Sequence, residues 1–122
     1  MFHSLTTVTV NDDEKKVVAG LVDVLDQFEE MRPNFPLHQV KMLLKLALDE
    51  GKSQKYYSAK WQYPTATVSR AMLDMGRRMR GGLDGLGLID ERVSTHSLRE
   101  HEVYLSLKGK TMLQKMIKRL CK

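Results

Sequence analysis

Apolar residues recur every three or four positions in several segments of this chain, and this is the spacing of one face of an α-helix. The first such segment follows Asn11, whose side chain can cap a helix N-terminus, and it runs to about Met31, ahead of Pro33 and Pro36. The positions that this helix is expected to bury are Val17, Leu21, Val24, Leu25 and Phe28.

Two further helices are predicted next. One covers residues 37–49 and stops at Gly51, and the other covers residues 53–60 and is short and polar. Trp61 and Tyr63 follow in a turn, and we assign both aromatic side chains to the core rather than to stacking on bases. The inward positions expected in these helices are Val40, Leu43, Leu44 and Ala47 in the first, and Tyr56, Tyr57 and Ala59 in the second.

The fourth helix begins after Pro64 and is expected to cover residues 65–79. Its buried side is predicted at Val68 and Met72, and either Met75 or Met79 completes the stripe. Several glycines then separate this helix from a segment with a different pattern.

Two short apolar runs enclose a polar stretch in that segment. Leu88, Ile89 and Val93 predict one β-strand. The alternation of Val103 and Leu105 predicts a second strand, so that the polar residues between the two form the tip of a ribbon.

The last helix is predicted over residues 107–120, with Ser106 as its cap and an apolar face at Met112, Leu113, Met116, Ile117 and Leu120. These elements predict one domain over residues 1–122. Its fold class is mainly α, with a small two- or three-stranded antiparallel β ribbon (α+β). A ribbon with a basic tip, placed just after a basic helix, is typical of the wing of a winged helix-turn-helix, and such a wing mostly holds nucleic acid.

The charge distribution adds to this picture. The net charge is +5; residues 1–36 carry three basic and seven acidic side chains, whereas residues 37–122 carry seventeen basic and eight acidic ones, giving balances of −4 and +9. An acidic leading segment joined to a basic body suggests that the body binds a polyanion. A solvated basic surface without a partner explains the charge equally well, so that charge alone leaves both interpretations open.

Composition and motifs argue against several classes of protein. No apolar run approaches the length that spans a bilayer, and the N-terminus lacks the blocks of a secretory signal. The single cysteine, Cys121, fits a reducing compartment, so we expect a cytoplasmic protein. We find no metal-ligand spacing, no glycine-rich phosphate loop and no nucleophile with its base, and we therefore expect no metal, no cofactor and no enzymatic activity.

The N-terminal half of the fourth helix carries side chains of the type that contacts base edges and phosphates in the major groove. For the hydroxyl groups, simple capping of the helix is an equally good explanation. The arginine has its own alternative, an ion pair with Asp74 one turn further on. The candidates are Thr65, Thr67, Ser69 and Arg70.

Further candidates lie beyond this helix and in the ribbon. Arg77 and Arg78 are placed to meet flanking phosphates, or else they only complement the C-terminal dipole of the helix. Arg99 is the natural group to enter the minor groove from the wing. The residues expected to support it on phosphates are Arg92, Thr95 and His96.

Several motifs, in this order along the chain, resemble the MarR family of multiple-antibiotic-resistance-type regulators. The resemblance covers about residues 37–109 and rests on the order of the motifs more than on any single one. The motifs are Leu37-His38-Gln39-Val40, Thr67-Val68-Ser69-Arg70, Gly87-Leu88-Ile89 followed by Arg92, Ser97-Leu98-Arg99, and Leu105-Ser106-Leu107-Lys108-Gly109.

This resemblance implies a sequence-specific regulator of transcription that binds double-stranded DNA, most simply as a dimeric repressor. Residues 65–79 would lie in the major groove as the recognition helix, and the wing, residues 92–102, would meet the minor groove and phosphates. The terminal helices, residues 11–31 and 107–120, would pair in a homodimer around the DNA-binding lobe, residues 37–106. Family members usually continue through a longer C-terminal helix, so the chain looks like a trimmed, divergent member, and we expect small-molecule control to be weak or absent.

Two alternatives share the same fold. One is a winged-helix protein that serves replication or partition of a mobile element, and the other is a winged-helix protein-interaction module whose basic surface meets an acidic partner. Binding that weakens steeply with salt separates DNA binding from the last alternative.

Overall fold

The computed structural model describes residues 9–76, 85–94 and 101–121. Over these ranges the chain forms five helices and a two-stranded antiparallel sheet, which confirms the fold class predicted from the sequence. The elements are α1 (Asp12–Met31), α2 (Leu37–Leu48), α3 (Gln54–Trp61), α4 (Thr65–Met75), β1 (Ile89–Val93), β2 (His101–Leu105) and α5 (Leu107–Leu120).

Local hydrogen bonds explain where the helices start. Asn11 Oδ1 accepts a hydrogen bond from the Glu14 backbone N–H (2.8 Å), and Glu14 Oε1 accepts one from the Asn11 N–H (3.0 Å), which is a complete capping box. Ser106 Oγ likewise accepts from the Gly109 N–H at 3.0 Å and caps α5. The predicted caps at Asn11 and Ser106 are therefore confirmed.

The core lies between the helix-turn-helix and the sheet. Tyr57 stacks on Trp61 with ring centroids 4.5 Å apart, and Tyr63 packs against the same cluster, so the assignment of Trp61 and Tyr63 to the core is confirmed. Burying each large apolar side chain contributes about 1.5–3 kcal/mol. The fully buried side chains are Phe28, Met42, Leu43, Leu46, Tyr57, Val68, Met72, Met75, Leu88, Ile89 and Val103.

Predictions about the buried faces of four helices and about the end of one helix are wrong. In α1, Val17, Leu21 and Leu25 are exposed, and in α5, Ile117 is exposed, so the apolar stripes of both helices are only partly buried. In α2, Leu44 and Ala47 are exposed and Met42 and Leu46 are buried instead. The apolar residues of α2 lie on several sides of the helix, so their spacing alone does not identify the buried face. In α3, Tyr56 and Ala59 are exposed, and Trp61 joins Tyr57 in the core.

Helix α4 also ends earlier than predicted, at Met75 rather than near Met79, which lies outside the described residues. Gly76 is extended (φ −81°, ψ −161°). The last carbonyl groups of the helix accept hydrogen bonds from the segment that enters β1, including one from Leu88 N to Met75 O at 2.8 Å. Pairing between segments distant in sequence thus ends the helix.

The two-stranded sheet contacts both the connection that precedes α3 and the start of α5. Ile89 pairs with Leu105 and Val93 with His101, and Lys52 adds an isolated bridge to Val103. At the far end, a Cβ at Gly109 would clash with the Leu88 carbonyl oxygen, so only glycine lets α5 start this close to β1. Across the described ranges, no helix is both long and apolar enough to cross a membrane.

Candidate nucleic-acid interface

The turn between α3 and α4 presents α4 at the surface. Gln62 adopts a left-handed conformation (φ 60°), and Ser58 Oγ donates a hydrogen bond to the Tyr63 carbonyl oxygen at 2.6 Å. On the other side of the turn, Val68 is fully buried and fixes α4 on its partner helix, as predicted. The helix-turn-helix is therefore a rigid unit with one face of α4 free.

Most of the predicted side chains of α4 lie on that free face. Thr65, Ser69 and Arg70 are exposed, and Thr67 is half-buried. The N-cap position is Pro64, which makes no side-chain cap, so none of the three hydroxyl groups serves as the N-cap of this helix. The capping alternative does not account for them.

Arg70 is also free of the intrahelical ion pair considered as its alternative. Asp74 instead accepts a hydrogen bond from Gln39 Nε2 at 3.1 Å and lies 3.5 Å from Arg32 Nη1. Within the described part of the chain, Arg70 has no ion-pair partner. Together with His38, it borders a surface cavity of about 450 Å³ beside the start of α4.

In the wing, Arg92 is exposed but held in place. Its Cζ lies 4.3 Å from the centre of the Tyr104 ring, and the Tyr104 hydroxyl donates to Glu102 Oε1 at 3.0 Å. This hydrogen bond raises the pKa of Tyr104 and keeps it a neutral donor. Stacking leaves the edge of a guanidinium open to further acceptors, so Arg92 remains able to bind a phosphate.

The other predicted contacts belong to segments that the structure does not describe. They are Arg77, Arg78, Thr95, His96 and Arg99, and their roles stay predictions.

Sequence analysis missed a side-chain link between α3 and the wing. Gln54 Nε2 donates to Glu91 Oε1 at 2.8 Å, and His101 Nδ1 lies 3.4 Å from Glu91 Oε2. No local signal identifies this link because its members are far apart in sequence.

A second missed cluster fixes the end of α2 against α3. Lys60 Nζ lies 2.7 Å from Asp49 Oδ2, and the Tyr56 hydroxyl donates to the same oxygen at 2.8 Å. These two hydrogen bonds, that of Lys60 first, lower the pKa of Asp49. Below it, the buried Tyr57 hydroxyl donates to the Asp49 carbonyl oxygen at 2.6 Å and accepts from Lys52 N at 3.1 Å. The connection that precedes α3 is thus held from both sides.

Among the described residues, no group of three or more His, Cys, Asp or Glu side chains comes together in a way that could hold a metal ion. On the exposed face of α4 the fold presents the hydroxyls of Thr65 and Ser69 and the guanidinium of Arg70, which are groups suited to phosphates and base edges. The described part of the wing adds the Arg92 guanidinium together with the carboxylates of Glu91 and Glu102.

Comparison with known proteins identifies relatives in structure only. No protein-family model matches the sequence, and no curated protein matches it. MepR of S. aureus, solved as a complex with DNA, superimposes on this chain with a TM-score of 0.63 at 18% sequence identity. The superposition covers 86% of this chain and 79% of the MepR chain. A MarR transcriptional regulator from Methanosarcina mazei Go1 gives a TM-score of 0.60 at 19% identity (86% and 68% covered), and MarR gives 0.59 at 13% (84% and 69%). The chain therefore has a winged-helix fold like that of the MarR-family regulators.

Proposed function

We propose that this protein is a transcriptional regulator that binds double-stranded DNA sequence-specifically, with α4 in the major groove and the wing at the minor groove and phosphates. The observation that carries the proposal is the free Arg70 guanidinium on the exposed face of α4, beside Thr65 and Ser69. An arginine that forks onto guanine is the commonest specific contact in the major groove. The structural likeness to MepR, solved with DNA, supports the same use of this fold.

A homodimer is part of the proposal. Only Val24 and Phe28 of the five apolar positions predicted to be buried in α1 are buried, and a broad stripe of the helix stays about half exposed. Apolar stripes this wide are typical of helices that pair with a second copy, and a two-fold axis would place two copies of α4 on a pseudo-palindromic site. The exposed residues are Val17, Val18, Leu21, Val22 and Leu25.

The simplest regulatory role is repression through occupancy of a promoter. Footprinting on the DNA of the source genome tests this role, because a repressor protects promoter sequences, often its own. Protection confined to a replication or partition locus would instead support the mobile-element alternative.

The proposed DNA binding is tested by selecting duplexes from a random library with the purified protein and titrating the best one against salt. We expect one motif to be enriched, and we expect log affinity to fall linearly with log salt, with a slope of about 0.9 per neutralised phosphate. Equal affinity for the selected duplex and for a scrambled duplex of the same composition would contradict sequence-specific binding.

A further inference from the structure

Three polar side chains from distant parts of the chain form a closed triangle beside the last turn of α4. Arg32 Nη1 donates to Gln39 Oε1 at 3.1 Å, Gln39 Nε2 donates to Asp74 Oδ2 at 3.1 Å, and Arg32 Nη1 lies 3.5 Å from the same Asp74 oxygen. Arg32 directly follows α1, Gln39 lies in the first turn of α2, and Asp74 lies in the last turn of α4. We call these three residues the Asp74 network.

The Asp74 network is partly shielded from water, at the border of the surface cavity that Arg70 also lines. Gln39 is 3% exposed, and the side chains of Asp74 and Arg32 are 12% and 33% exposed. Removing one member of such a group leaves a partly buried charge or amide without its partner. Apolar packing through Val68 and Met72 already attaches α4 to the core. What directional hydrogen bonds add is one defined orientation of the helix.

The end of α4 is also hydrogen-bonded to the segment that leads into β1. Leu86 N donates to the Asp74 carbonyl oxygen at 3.1 Å, and Gly87 N donates to the Gly76 carbonyl oxygen at 2.7 Å. Asp74 therefore connects with α1 and α2 through its carboxylate and with the strand that enters the wing through its backbone. The α4 helix and the segment through which the chain enters β1, the first strand of the wing, therefore meet at this residue.

We propose that Asp74 and Arg32 are positioning residues for DNA recognition, which set the angle at which α4 and the wing enter the two grooves. The proposal rests on the proposed DNA binding and goes beyond it, because neither residue is expected to contact a base. Since α1 is the proposed dimerisation helix, the network fixes α4 of each subunit relative to the dimer axis. Recognition of a defined half-site spacing requires such a fixed angle.

The test is a double-mutant cycle with Asp74→Asn, Arg32→Gln and the double variant. Asp74→Asn keeps an acceptor for Gln39 but removes the ion pair, and Arg32→Gln removes the cation. The readout is the ratio of affinities for a duplex selected by the wild-type protein and for its scrambled counterpart. A change in net charge alters affinity for both duplexes alike, whereas a misoriented α4 lowers the ratio.

We expect each single variant to lower this ratio by about three- to tenfold, and the double variant to lower it no further, because the two side chains act as one unit. Measurements are made at a temperature at which circular dichroism shows every variant folded. If Arg32→Gln does not fold, Arg32→Lys takes its place, since it keeps the cation and loses the guanidinium geometry.

The matched control is the ion pair between Asp23 and Arg119, 3.9 Å apart, which joins α1 to α5 and does not touch α4. Asp23→Asn and Arg119→Gln make the same charge changes at a half-exposed site outside the exposed apolar stripe of α1. Once sedimentation shows that they keep the oligomeric state of the wild type, they should leave the ratio unchanged.

Each remaining outcome has a defined consequence. A wild-type protein that does not discriminate between the duplexes overturns the proposed function and this inference with it. A discriminating wild type whose ratio survives both single substitutions overturns only the inference, as does additive loss in the double variant.

Discussion

At the scale of single residues, the Tyr57 hydroxyl links the helix-turn-helix to the sheet. The Tyr57 ring is fully buried, and the hydroxyl satisfies both the Asp49 carbonyl oxygen and the Lys52 N–H in the connection between α2 and α3. The connection in turn pairs with β2 through Lys52 and Val103. Tyr57 thus fixes the helix-turn-helix and the wing at one point.

Replacing Tyr57 by phenylalanine is expected to lower the free energy of unfolding by about 1–3 kcal/mol, because two partly buried backbone groups lose their partner. Urea denaturation measures the change. Tyr56→Phe is the matched control, since the Tyr56 hydroxyl lies at the surface, where it donates to the Asp49 carboxylate and accepts a long hydrogen bond from Lys60 Nζ, and we expect it to stay within about 0.5 kcal/mol of the wild type. Equal costs for the two variants would show that the buried hydroxyl does not have this role.

The same hydroxyl gives a pH dependence. Burial raises the pKa of Tyr57 to about 12, above the value of about 10 for an unfolded chain. The contribution of the neutral phenol to stability is therefore complete below about pH 10 and is lost as the pH rises through about 12. We expect the free energy of unfolding to fall more steeply between these values for the wild type than for Tyr57→Phe. Tyr104, whose pKa is also raised, remains in both proteins, so parallel curves would contradict this assignment.

At the scale of secondary-structure elements, local signals predicted most boundaries, and contacts between distant segments decided the rest. Capping at Asn11 and Ser106 depends on residues close by in the chain, and the predicted starts of α1 and α5 are confirmed. The buried face of α2 was predicted incorrectly, because apolar residues lie on several sides of this helix and their spacing does not select one. The end of α4 depends on hydrogen bonds from residues 86–88, which no window around Met75 contains.

The link between α3 and the wing leads to a prediction whose sign opposes simple electrostatics. Glu91 joins Gln54 to His101, so Glu91→Ala should free the wing and weaken duplex binding by about three- to tenfold, although it removes a negative charge. Glu102→Ala is the comparison, because it removes the same charge from the wing without breaking the link to α3: among the described residues, the Glu102 carboxylate accepts from Tyr104 on its own strand. Fluorescence anisotropy with the selected duplex compares them. Tighter binding by Glu91→Ala would mean that charge, not wing position, dominates at this site.

At the scale of the whole molecule, the exposed stripe of α1 predicts the oligomeric state. We expect sedimentation equilibrium at tens of micromolar to give twice the chain mass of 14.0 kDa. Leu21→Lys, in the middle of the stripe, should give a monomer, because the lysine would have to be buried at the interface. Leu48→Lys is the control: Leu48 is 86% exposed on α2, outside this stripe, and the variant should remain a dimer. A monomeric wild type would contradict the proposed pairing.

The candidate interface could be predicted from the sequence only where its members are neighbours in the chain. The hydroxyls and Arg70 share one helix with the buried Val68, and their separation into a free and a packed face follows from helical spacing. The partners of Asp74 are 35 and 42 residues away in the chain, and the sequence suggested Arg70 instead. Because Asp74 pairs with Arg32 in the fold, Arg70 is left without an ion-pair partner among the described residues. The proposed function depends on this unpaired arginine.

The most direct test of DNA recognition by α4 is therefore the effect of Arg70→Ala on discrimination between the selected duplex and its scrambled counterpart, at physiological salt. We expect a loss of about 1–3 kcal/mol in discrimination, with the thermal unfolding midpoint unchanged because the side chain is exposed and unpaired. Arg119→Ala, an exposed arginine on α5, should leave discrimination intact. Equal discrimination by the wild type and Arg70→Ala would contradict the assignment of α4 as the recognition helix.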